Sequence, residues 1–160
     1  MLVIKEKNMA SRLLMALCGV GFSAQSLAFP CFLTLAKDSC WIDYDVKVIV
    51  MDASTNQPLT TVEVPKGQSW ARQPFTCQPG QKLIYQATFQ PAFWQSEVGK
   101  VYTAIRYWSL PATPQPGDTA WDIPVCYPAA FAAVPFPPNA TGSCKCDFSN
   151  IPPVKPQPAS

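Results

Sequence analysis

The sequence predicts an all-β, disulfide-braced antiparallel β-sandwich with an irregular proline-rich C-terminal segment. Three observations carry that prediction. All 18 prolines lie from Pro30 onward, and proline lacks the N–H and clashes inside a helix, so few stretches allow a long one. Apolar residues recur at every second position in short runs bounded by turn residues. Six cysteines follow a segment laid out like an export signal, which makes them candidate disulfides of an exported domain.

The export signal comes first in the chain. Lys5, Lys7 and Arg12 precede the apolar run LLMALCGVGFSA, and SLAFPC follows, where Ser26 and Ala28 give the small-x-small spacing of a cleavage site. The run is too short to span a bilayer comfortably, so an integral membrane protein is not expected. Ala28, Phe29 and Pro30 before Cys31 do not make a lipobox. The expected organisation is a signal peptide at 1–28, a β-sandwich domain at 29–128 and an Ala/Pro-rich segment at 129–160 that wraps the domain. Three of the 12 basic and one of the 10 acidic residues fall in the signal, which leaves nine of each. A neutral mature chain has no electrostatic reason to seek nucleic acid or an anionic membrane surface. Its length suits one domain with a core of its own.

The first strand is expected in CWIDYDVKVIVMD. Ile42, Tyr44, Val46, Val48 and Val50 share one face there, and Asp43, Asp45 and Lys47 the other. ASTNQP supplies a turn, and LTTVEVP returns with Val62 and Val64 inward. SWARQPFTC reads as an edge strand, because Pro74 would cost a central strand a ladder bond. After the turn QPGQ, KLIYQATF carries Leu83, Tyr85, Ala87 and Phe89 on one face. PAFWQSEVGK bends to VYTAIRYWSL, PATPQPGDT is a loop, and AWDIPVCYP closes the set around Trp121, Ile123 and Val125.

Cys18 leaves with the signal, so Cys31, Cys40, Cys77, Cys126, Cys144 and Cys146 remain for three disulfides, each worth about 2–4 kcal/mol. Cys144 and Cys146 are expected to bond to separate partners, since a ring across one residue is strained. Cys31 and Cys40 bracket the start of the first predicted strand and are their natural partners, which leaves Cys77 for Cys126. A zinc site is not expected: the only close pair is C-x-C, and the chain has no histidine. CKCD lacks the C-x-x-C spacing and the following helix of a redox site.

No enzyme is expected and no cofactor. Without histidine there is no Ser–His or Cys–His nucleophile system. Asp43 and Asp45 resemble a carboxylate pair for glycosidic work but read more simply as a solvated strand face. Asp118 and Asp122 flank Trp121 and could contribute to a polar rim but read more simply as surface residues, and the sequon at Asn139 matters only in a glycosylating cell. Aromatic residues point instead to contact. With Val101, Thr103, Ile105 and Tyr107 inward, Tyr102, Arg106, Trp108 and Leu110 form an outward row of hot-spot composition, extended by Phe93 and Trp94, unless the small domain buries both faces, one against its own C-terminal segment. A protein partner is therefore expected, and a glycan is the lesser candidate.

Two resemblances accompany this reading. VKVIVMDASTNQPLTTVEV resembles the opening hairpin of transthyretin-like and carboxypeptidase-regulatory modules, which implies a sandwich. The combination of signal, six cysteines, aromatic strands and proline-rich tail resembles the small exported accessory proteins around the Dot/Icm type IV secretion core complex. That likeness implies a structural or accessory subunit of a cell-envelope assembly, in the periplasm or at the outer-membrane periphery, with protein neighbours. The alternative is an extracellular binding module or effector that recognises a host protein or glycan.

Overall fold

The computed structural model describes residues 28–155; the expected signal peptide lies outside them apart from Ala28. Among these residues eight strands form two sheets: β1 (Phe29–Lys37), β2 (Asp45–Asp52), β3 (Pro58–Val64), β4 (Trp70–Cys77), β5 (Lys82–Gln90), β6 (Tyr102–Thr103), β7 (Trp108–Ser109) and β8 (Trp121–Tyr127). One sheet runs β4-β1-β8. The other runs β3-β2-β5-β6, with β7 also paired to β5. The chain is thus an all-β, disulfide-braced sandwich, with one departure from an antiparallel pattern: β1 and β8 are parallel, Leu33 opposite Ile123 and Leu35 opposite Val125.

Strand β1 precedes the first strand read from the sequence. Its residues FPCFLTLAK do not alternate, because both faces are covered. Cys31, Leu33 and Leu35 face the core, while Thr34 and Ala36 are also buried on the opposite side. A central strand enclosed in this way reads as a near-continuous apolar run. Between β1 and β2 a 3-10 turn at Ser39–Trp41 is capped by Asp38, whose carboxylate accepts from the Cys40 amide at 2.9 Å. The turn delivers Trp41 between the sheets. Its ring lies 4.8 Å from both Phe89 of β5 and Tyr127 of β8, edge-on to each.

Strands β2, β3, β5 and β8 follow their alternation. Val46, Val48 and Val50 of β2, Val62 and Val64 of β3, and Leu83, Tyr85, Ala87 and Phe89 of β5 are buried. The β2–β3 turn is tied by Asp52, which accepts from the Ser54 and Thr55 amides at 2.8 and 2.9 Å. Asn56 there takes a left-handed φ of 57°, a conformation that asparagine tolerates better than most residues. Strand β4, with Pro74, is an edge strand.

VYTAIRYWSL departs from expectation twice. It forms two separate two-residue strands, and its facing is opposite to the one predicted. Tyr102 and Leu110 are buried and Trp108 is half-buried, whereas Val101, Ile105 and Tyr107 are 50%, 60% and 59% exposed. Both parities of this segment are apolar, so alternation does not choose between them. Packing does: the Tyr102 ring stacks on Phe89 at 5.8 Å, and its hydroxyl donates to Glu97.

Past β8 the chain carries no further strand among the described residues, and it is fastened at several points. Phe131 is buried, and Ala104 and Phe131 form an isolated bridge. The disulfides join Cys31 to Cys77, Cys40 to Cys144 and Cys126 to Cys146. Cys144 and Cys146 do take separate partners, and Cys40 holds the tail as expected. The expected Cys77–Cys126 bond and the Cys31–tail bond are overturned. Strand β1 places Phe29 opposite Cys77 and Cys31 opposite Phe75, so Cys31 reaches Cys77 across the ladder and Cys126 is left for Cys146.

Lys37, at the end of β1, is buried. Its ammonium donates to the carbonyls of Tyr44 at 2.6 Å and Pro65 at 2.9 Å, which ties β1 to the loops entering β2 and leaving β3. Burial pushes its pKa down to about 8, against the opposing pull of Asp45 and Asp43.

Candidate binding cleft

The two sheets meet differently along their two sides. On one side the chain passes directly from β3 to β4, and those strands lie alongside each other. On the other, β8 is the free edge of its sheet, and its outward residues share a cleft with the segment from Ile105 to Trp108 that enters β7. That seam holds a cleft of about 580 Å³, within the roughly 300–1,000 Å³ range of ligand sites.

Its floor is the outer face of the three-stranded sheet. Trp121, Ile123, Val125 and Tyr127 of β8 point into the core, so Asp122, Pro124 and Cys126 point out. Register puts Arg72 of β4 opposite Thr34 of β1. Thr34 donates to Asp122 Oδ1, Arg72 Nε donates to Thr34 Oγ1 at 2.8 Å, and the guanidinium reaches Asp122 Oδ2 at 3.4 Å. This three-residue network satisfies the one polar side chain that interrupts the apolar run of β1.

One wall comes from the other sheet: Ile105, Arg106, Tyr107 and Trp108, with Tyr85 of β5 beside them. Tyr85 is 3% exposed, and its hydroxyl has no hydrogen-bond partner. Burial raises its pKa. Arg106 is exposed and has no ion-pair partner among the described residues. The opposite wall is the tail: Phe148, Ile151, Pro152 and Pro153. The Cys126–Cys146 disulfide fixes its approach. A turn in which Asp147 accepts from the Ser149 amide and hydroxyl at 2.8 and 2.6 Å shapes the segment, and these bonds lower the Asp147 pKa.

The predicted contact residues are divided by this geometry. Arg106 and Trp108 line the cleft. Tyr102 and Leu110 belong to the core, and Phe93 is half-buried against Phe89 at 5.1 Å. Trp94 is 53% exposed but stands outside the cleft. The sequence sets Asp122 on the surface beside Trp121 but marks no site at Thr34, Arg72, Tyr85 or the tail residues. The lone threonine in the otherwise apolar FPCFLTL is a further signal that could mark the floor.

The remaining polar candidates have local roles. Asp43 is exposed, and Asp45 accepts from the Lys66 amide at 2.6 Å. Asp118 accepts from Trp121 Nε1 at 3.1 Å and the Gln115 amide at 2.9 Å. Asn139 is exposed and accepts from the Tyr44 hydroxyl at 3.4 Å. Asp38, Cys40 and Cys144 cluster closely enough to hold an ion, but both sulfurs are committed to one disulfide.

Fold and cleft together define a disulfide-braced β-sandwich with an open, aromatic-walled seam. The chain matches no protein-family model, and no curated protein or solved structure shows significant similarity to it.

Proposed function

We propose that this protein is an exported, non-enzymatic accessory subunit of a cell-envelope assembly, of the kind found in bacterial secretion systems, and that it works by contact through the open seam. The observation that carries the reading is the rim of the cleft, where exposed Ile105 and Tyr107 flank Arg106, an aromatic–arginine combination typical of protein contact hot spots. Three disulfides fit an oxidising compartment. Among the described residues no helix is long and apolar enough to cross a membrane. Attachment would then be through protein neighbours, and the proposed site of action is the periplasm or the outer-membrane periphery.

Tyr107 is the cleaner probe of this surface than Trp108, because it is more exposed and its removal leaves the core intact. Envelopes solubilised in mild detergent should hold the protein in a large complex at a fixed ratio to its neighbours. Tyr107→Ala should release it from that complex without moving its melting temperature. Accumulation of free monomer in the culture fluid would refute the subunit role and favour the secreted binding module that recognises a host protein or glycan.

A further inference from the structure

The subunit reading leaves open what the cleft takes, and an inference resting on that reading follows from the charges in its walls. Two guanidiniums and one carboxylate line it. The carboxylate, Asp122, is already engaged by Thr34 and Arg72, so Arg106 is the uncompensated group. We infer that the cleft receives a short apolar segment of a partner protein carrying one carboxylate, and that Arg106 recognises this charge.

Three further observations shape the occupant. The walls around Arg106 are apolar, from Tyr107 and Trp108 on one side to Phe148 and Ile151 on the other, so a hydrated polyanion has little to bind there. A guanidinium in such surroundings pairs with a carboxylate through two parallel hydrogen bonds. The Tyr85 hydroxyl, buried in the lining without a partner, supplies a hydrogen-bonding group for which the chain itself offers nothing.

Pro124 stands in the middle of β8, the free edge. Lacking an N–H, it interrupts the pairing an added strand would need, so the occupant engages side chains rather than extending the sheet. A free small acid would fill the cavity but leave Ile105 and Tyr107 exposed on the rim. A protein segment covers them.

The test uses the disulfide-intact mature protein and blocked pentapeptides of two phenylalanines and two leucines around a central aspartate, asparagine or lysine, with 4-phenylbutyrate as the free acid. Binding is followed by the indole N–H resonances, that of Trp108 being assigned by Trp108→Phe. The aspartate peptide should bind about tenfold tighter than the asparagine peptide, and the lysine peptide more weakly still, as charge-assisted bonds require. Arg106→Gln, at an exposed position, should abolish the difference. Equal affinities in the wild type, an unchanged preference in Arg106→Gln, or shifts confined to Trp94 would each overturn the inference. Binding of 4-phenylbutyrate as tight as that of the aspartate peptide would overturn the protein source. Charge preference in vitro with no envelope complex in cells would refute the subunit role alone, whereas the reverse pattern would refute only the chemistry assigned to the cleft.

Discussion

Replacing Cys40 and Cys144 by alanine together opens the longest covalent loop in the molecule. Direct sequence separation is 104 residues. With the other two bonds intact, however, a shorter route runs from Cys40 back to Cys31, across to Cys77, along to Cys126 and across to Cys146. That route is roughly sixty residues, for which loop-closure entropy gives about 4.3 kcal/mol. The Cys126–Cys146 pair is separated by only 20 residues, which gives about 3.3 kcal/mol. All four cysteines are half-buried, so packing losses in the two double variants are comparable and the loop difference stands out. Urea unfolding without reductant measures it. With a slope of roughly 2 kcal/mol/M, the Cys40→Ala/Cys144→Ala midpoint should fall by about 2 M, and by more than that of Cys126→Ala/Cys146→Ala. A loss below about 2 kcal/mol, or the opposite ranking, would refute the view that the first bond acts by restraining the unfolded chain.

Tyr127 is fully buried and its hydroxyl has no hydrogen-bond partner; Tyr127→Phe should therefore raise stability by up to about 1 kcal/mol in urea unfolding, and a loss would mean that the hydroxyl is satisfied. Burial raises the pKa of both Tyr85 and Tyr127, so the unfolded chain releases protons above pH 10 while the fold retains them, and the urea midpoint should decline as pH rises past 10. Lys37 has the opposite sign: with a folded pKa of about 8 against 10.5, the unfolded chain binds more protons in that window, so stability should climb from pH 8 toward 10, and Lys37→Met should remove the climb. At neutral pH the same variant strands the carbonyls of Tyr44 and Pro65 and should cost about 1–3 kcal/mol. Intact mass of the protein recovered from its cells should correspond to a start at Phe29, and retention of residues 1–28 or lipid on Cys31 would defeat the export reading.

Strands that turn one face to water were legible in the sequence. The valines of β2, the alternation of β5 and the Trp121–Val125 run each carry a period of two that only a half-buried strand requires. Strand β1 was not legible, because burial on both faces erases that period. Without β1 nothing in the linear sequence sets Cys31 beside Cys77, and the pairing of the cysteines depends on that neighbourhood. The segment 101–110 failed for a different reason. Its odd and even positions are equally apolar, and only contact with Phe89 determines which set turns inward. Of the cleft, Arg106 and Trp108 were picked out by their chemistry. The floor and the tail wall depend on strand register and on a disulfide, neither of which a linear reading supplies.

In chain order the six disulfide-bonded cysteines are 31, 40, 77, 126, 144 and 146, and the bonds join first to third, second to fifth and fourth to sixth. No bond links neighbours in the sequence. A polypeptide threaded N-terminus first into an oxidising compartment presents Cys31 and Cys40 together, long before Cys144 arrives. Any bridge formed at that moment has to be reopened by thiol–disulfide exchange before either sulfur finds its native partner. If the chain is exported as proposed, its maturation is expected to depend on a shuffling catalyst. In cells deprived of one, the protein should accumulate as mis-bridged isomers of correct mass, with Cys31 held to Cys40 and the tail hanging free of the sandwich it is meant to close.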